Sequence, residues 1–119
     1  MTPSRPPETP VVFYRTAGGS EPVRDGLRSL PIEDRHRLGR DLAIVQFGWP
    51  VGLPICRPMG AGLWELRSSL SGGRIARVLF FFHEGRIGVV HGFIKKTQKT
   101  PPGDLELARN RMREMTKAK

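Results

Sequence analysis

The chain has a single cysteine, Cys56, a single tyrosine, Tyr14, and no uninterrupted apolar stretch long enough to cross a bilayer. One cysteine excludes an internal disulfide and any multi-cysteine metal site, so a reducing compartment is the natural reading. The opening MTPSRPPETP lacks the apolar core that a secretory signal needs, and the expectation is a soluble cytoplasmic protein with no membrane partner. There is no GxxxxGK[ST] phosphate loop, which excludes that route to nucleotide binding, and no GxSxG turn to present a serine nucleophile. The three histidines, His36, His83 and His91, have no zinc-like spacing among themselves, with Cys56 or with the carboxylates, and no acidic pair sits on one element as hydrolytic metal sites need. No cofactor and no metal are expected.

Acidic residues are also scarce, with 11 Asp and Glu against 20 Lys and Arg and a formal net charge of +9 over 119 residues. Such a field attracts polyanions: nucleic acid, anionic lipid or an acidic protein. The excess is concentrated. Residues 57–99 hold eight cations (Arg57, Arg67, Arg74, Arg77, Arg86, Lys95, Lys96, Lys99) against Glu65 and Glu84 alone, so two-thirds of the net charge lies in the central segment. A binding footprint concentrates charge in this way, whereas a device for solubility need not.

The length suits one compact domain. The four prolines of residues 1–10 and their lack of periodicity predict a disordered tail, with a single domain over residues 11–119. Val11 to Tyr14 reads as a short strand, possible as a sheet edge, and Glu21 to Leu30 as a short helix. Pro31 breaks that helix or opens a second, in which Leu38, Leu42 and Val45 recur at helical spacing up to Gly48; the pair forms a helical hairpin. Gly48 to Pro58, rich in glycine and proline, reads as an irregular link. Leu63 to Arg67, Arg74 to His83 and Ile87 to Ile94 then predict a three-strand meander with turns at Ser71-Gly72-Gly73 and Glu84-Gly85. A last helix follows Pro101-Pro102, with Leu105, Ala108, Met112 and Met115 along one side. The order β-α-α-β-β-β-α predicts an α+β domain with the helices on one face of a mostly antiparallel sheet.

Strand alternation sorts the side chains. Trp64 and Leu66 share a face, as do Val78, Phe80 and Phe82, and these aromatics are expected to face the helices. A three-residue loop at Ser71–Gly73 places Leu70 opposite Arg74 and therefore Arg67 opposite Arg77. Like charges in direct cross-strand contact destabilise a sheet, so an anion between them is expected. Glu65 could be that anion, tying both arginines into a salt-bridged ladder; a bound phosphate could equally be, and spacing leaves both open. Lys95, Lys96 and Lys99 follow the last strand and can add cations to the same rim. Arg109, Arg111 and Arg113 spread around the last helix, where they contact phosphate or serve to solvate it. His91 lies within a strand and reads as buried and hydrogen-bonded.

The segments GLWELR at 62–67, RIARVLFFF at 74–82 and HGFIKKTQKTP at 91–101 resemble the phage-derived HigB-like toxins of the RelE/ParE superfamily. The FxKKTxKTP block is the most specific part, and the likeness reaches the last helix through Glu106-Leu107-Ala108-Arg109. It implies a RelE-like fold and the toxin of a type II toxin-antitoxin pair. It also implies cleavage of mRNA in the ribosomal A site without a metal, and a helix-turn-helix antitoxin as partner. In RelE-like toxins basic residues on the central strands orient the phosphate, and Arg67, Arg74 and Arg77 match them. Two features depart from the relatives: Glu65 stands where they carry a lysine, and no C-terminal tyrosine is present.

Attack of an RNA 2′-hydroxyl on phosphorus needs in-line positioning, two proton transfers and cations for the developing charge. Arginine stays protonated and grips phosphate bidentately, while a lysine crowded by cations can exchange protons. The catalytic candidates are therefore Arg67, Arg74, Arg77, Lys95 and Lys96, with Arg57, Lys99, Arg109 and Arg113 as RNA-binding residues. Glu65 and His91 are candidates for proton transfer. Two rival readings remain: a ParE-like gyrase inhibitor, which shares the fold and needs no phosphate-activating site, and a non-catalytic nucleic-acid-binding module.

Overall fold

The computed structural model describes residues 9–95 and 99–117. The elements run β1 (Val11–Phe13), α1 (Pro22–Arg28), α2 (Ile32–Gly48), β2 (Cys56–Gly60), β3 (Leu63–Ser69), β4 (Ile75–His83), β5 (Arg86–Lys95) and α3 (Pro102–Lys117), with a short 3-10 turn at Ser71–Gly73. Pro22 and Pro102 sit at the starts of their helices, where a missing N–H costs nothing. Glu33 and Asp34 lie in the first turn of α2 and oppose its positive end.

The five strands are ordered β1-β5-β4-β3-β2, with β1 parallel to β5 at one edge and every other pairing antiparallel. The predicted tail falls mostly outside the described residues, which begin at Thr9. Thr9 donates its N–H to Gln46 and Pro10 O accepts from Ile87.

Two expectations are corrected. Cys56–Gly60, read as part of an irregular link, is an edge strand that places Arg57 opposite Glu65 and Pro58 opposite Trp64. Its proline and glycine conceal it in the sequence, yet an edge position tolerates Pro58, and Gly60, Ala61 and Gly62 take the positive φ of the turn into β3.

The helices, moreover, do not share one face of the sheet. Val23 of α1 and Leu38 and Val45 of α2 pack with Leu66, Val78, Phe80 and Val89. Ala108, Leu105, Met112 and Met115 of α3 pack with Leu63, Leu79, Phe81 and Val90, the residues of opposite parity. The cause lies in β4: its Val78 to Phe81 run is apolar at both parities, and a strand of that kind is buried on both faces. Of the aromatics expected to face the hairpin, Phe80 is buried and Trp64 packs against that core. Phe82, stacked on Trp49, remains largely exposed.

The turn count holds. Leu70 N–H reaches Arg74 O at 2.9 Å across the three-residue loop, and Arg67 pairs directly with Arg77.

Candidate functional site

Neighbouring strands carry Arg57, Glu65, Leu79 and His91 across the sheet in one row, with Arg67, Arg77 and Phe93 in the next. Both rows lie on the face that α3 covers. Glu65 and Arg77 are fully buried, and Arg77 Nη1 donates to Glu65 Oε1 at 3.2 Å. Arg57 Nη2 donates to the same oxygen at 3.2 Å from a partly exposed side chain. The Thr100 hydroxyl, just before α3, donates to Glu65 Oε2. Both oxygens of Glu65 are therefore engaged, by two arginines and a threonine. The anion expected between Arg67 and Arg77 is present but serves Arg77 and Arg57. Arg67 is half-buried and pairs with no carboxylate of the described residues.

His91 projects from β5 toward the first turn of α3, where its Nε2 stands 2.7 Å from Asp104 Oδ1. Both side chains are mostly buried, at 15% and 20% exposure. The carboxylate accepts, so in the neutral ring Nε2 carries the hydrogen and Nδ1 keeps its lone pair. The Phe93 ring, 5.5 Å away, borders the imidazole. A histidine held in one tautomer by a carboxylate is the arrangement of an oriented base. Sequence reasoning named His91 and missed Asp104, because nothing in the local pattern of a helix start tells which strand residue it will meet.

The remaining candidates divide. Arg74 is turned toward α2, where it forms a two-pronged ion pair with the buried Asp34 at 2.9 and 3.1 Å and also donates to Ser71. The ion pair keeps the guanidinium pKa above its ordinary value, through hydrogen bonding to Asp34 first. The structure does not bring Arg74 to Arg77. Arg109 fastens α3 to the end of β2 through Met59 O at 2.7 Å and Gly60 O at 3.1 Å. Arg113 donates to Asn110 on its own helix.

Lys95 ends β5 opposite Ile75, Lys99 is exposed, and Lys96 lies outside the described residues. Arg111, which bonds Val90 O at 2.9 Å, lies over the ring of Tyr14. The Tyr14 hydroxyl donates to Glu114 Oε1, which raises the phenol above its usual range. Burial pushes the Cys56 thiol up to about 11, so that cysteine is not a nucleophile at neutral pH.

Three helices on a five-stranded, mostly antiparallel sheet define an α+β protein of RelE-like fold. Residues 25–113, about three-quarters of the chain, match the family described as Phage derived protein Gp49-like (DUF891), and the chain belongs to that family. No curated protein matches the sequence. Among the described residues, no helix is long and apolar enough to cross a membrane.

Proposed function

We propose that the protein is the toxin of a HigB-type toxin-antitoxin pair, cleaving mRNA in the ribosomal A site and neutralised by a helix-turn-helix antitoxin. The observation that carries the reading is the pairing of His91 with Asp104 on the same sheet face as Arg67, a half-buried guanidinium with no carboxylate partner among the described residues. Family membership supports the toxin-like character.

In this reading Arg67 grips the scissile phosphate in its fork, helped by Lys95, which ends β5, and by Lys96, the next residue in the sequence. His91 Nδ1 takes the proton of the RNA 2′-hydroxyl, whose oxygen bonds to phosphorus. The bond from phosphorus to the 5′-oxygen breaks, and a lysine ammonium supplies that oxygen with a proton. The products are a 2′,3′-cyclic phosphate and a 5′-hydroxyl. Asp104 holds the imidazole and stabilises it once protonated. Glu65, with both oxygens occupied in the interior, acts as a positioning residue for Arg77 and Arg57 rather than as the base.

Brief expression in growing cells followed by mapping of RNA ends tests this. In-frame cuts bearing 5′-hydroxyl ends are expected. His91→Ala and Arg67→Ala should each lower cleavage by about a hundredfold or more while far-UV circular dichroism stays unchanged. Normal cleavage by both folded variants, or trapped gyrase breaks without RNA cuts, overturns the reading.

A further inference from the structure

β2 begins at Cys56, opposite Leu66, so the last residues of β3, paired with β4 on one side, have no strand along their outer edge, and an open cleft of about 520 Å³ forms between that stretch and α2. Arg37, Arg40 and Asp41 line it from the helix, Ile55 from the chain entering β2, and Arg67 and Ser69 from β3. Arg37 and Arg40 are exposed and three residues apart, so they project from one side of α2. Neither pairs with a carboxylate of the described residues, nor does Arg67; Arg37 makes only a long 3.4 Å bond to Ser69 O. Asp41 is the sole acid in the lining, and one of its oxygens already accepts the Ser68 hydroxyl at 2.5 Å. Arg37 and Arg40 from α2 and Arg67 from the outer edge of β3 thus border a common space whose lining includes a single, partly engaged carboxylate. Their mutual repulsion is relieved when anions enter.

We infer that this cleft binds phosphates of a single-stranded RNA, extending the substrate path from Arg67 over the open end of β3 to Arg37 and Arg40. The inference rests on the ligand class of the proposed function. A polynucleotide is favoured over an acidic protein because Arg67 is common to the cleft and to the proposed cleavage site, so one continuous strand can occupy both. The forks of Arg37 and Arg40 suit phosphate oxygens and make no base-specific demand.

The full-length protein is titrated with a short fluorescent single-stranded RNA over a range of salt concentrations, alongside Arg37→Ala, Arg40→Ala and a control, Arg86→Ala, at an exposed turn. Alanine at exposed helix positions preserves the fold. Each cleft variant is expected to flatten the plot of log affinity against log salt by about 0.7, which is about a fivefold loss at 0.1 M salt relative to 1 M. Arg86→Ala is expected to leave the slope unchanged.

Slopes and affinities of Arg37→Ala and Arg40→Ala equal to those of the control overturn the inference, even if RNA cleavage in cells stays intact. Arg40-dependent binding of polyglutamate without RNA binding also overturns it and marks the cleft as a protein-docking surface. Arg40-dependent RNA binding by a protein that cuts no RNA supports the cleft and sinks the cleavage reading instead.

Discussion

Burying Glu65 and Arg77 together takes two charges out of water, and the cost is offset only while every partner stays in place. Arg57 and Thr100 complete that set from β2 and from the segment leading into α3. Removing one member leaves the other charged in an apolar interior. Arg77→Ala is therefore expected to lower stability by about 3–5 kcal/mol, read as a fall in the urea midpoint. Replacing both charges with apolar residues of similar volume, Glu65→Leu with Arg77→Met, should recover most of the loss, since Arg57 can turn to solvent. An Arg77→Ala protein as stable as the parent would show that the pair is not structural. Loss of the proposed cleavage on truncating Arg77 would for the same reason be a poor test of catalysis, whereas Arg67, half-buried and with no carboxylate partner among the described residues, can be changed more safely.

At the scale of the elements, β5 shows how a feature plain in the sequence takes its meaning from a neighbour. Gly88 and Gly92 look like weaknesses in that strand, because glycine has no side chain to pack. At Gly88 the Phe81 ring of β4 fills the place of the missing side chain: an added Cβ would stand 2.5 Å from Phe81 Cε1. Phe81 is itself buried under α3, so the ring has little room to move. Gly88→Ala should then destabilise the fold by about 1–3 kcal/mol through overpacking, and Gly88→Ala with Phe81→Leu should be less damaged than the sum of the single changes. Additive losses in denaturant titrations would count against the ring as the cause.

The meander of β3, β4 and β5 and the Arg67 to Arg77 register were legible because alternation and turn length are local properties. What covers each face was not. Parity assigned Glu65, Arg67 and Arg77 to a common face, but only the seating of α3 decides that two of them are buried and the third is not. Arg109 likewise reads as a surface cation in sequence and proves to be a fastener, because its partners are main-chain carbonyls at the end of an unrecognised strand. Arg37 and Arg40 fall between the apolar positions of α2, and nothing local shows that they border a cleft, which depends on where β2 begins.

Across the whole molecule, the central concentration of charge is partly neutralised by folding. Of the eight cations in residues 57–99, Arg57 and Arg77 share Glu65 and Arg74 takes Asp34. The positive surface left for a polyanion therefore draws on α2 as well as on the central segment, which the charge count by segment could not reveal.

The same sheet ties the two cores into one unit. Cluster residues on the α1 and α2 side alternate along β4 with those on the α3 side, Val78 and Phe80 against Leu79 and Phe81. Loss of α3 would expose the second set, and each buried side chain of that size contributes about 1.5–3 kcal/mol. Neither core is expected to persist alone. Trp49 and Trp64, in edge-to-face contact at 4.8 Å on the hairpin side, report one core by fluorescence, while far-UV circular dichroism reports all three helices. The two signals should follow a single urea transition with one midpoint. Helical signal lost at a lower urea concentration than tryptophan signal would mean that α3 detaches first and that β4 does not couple the faces.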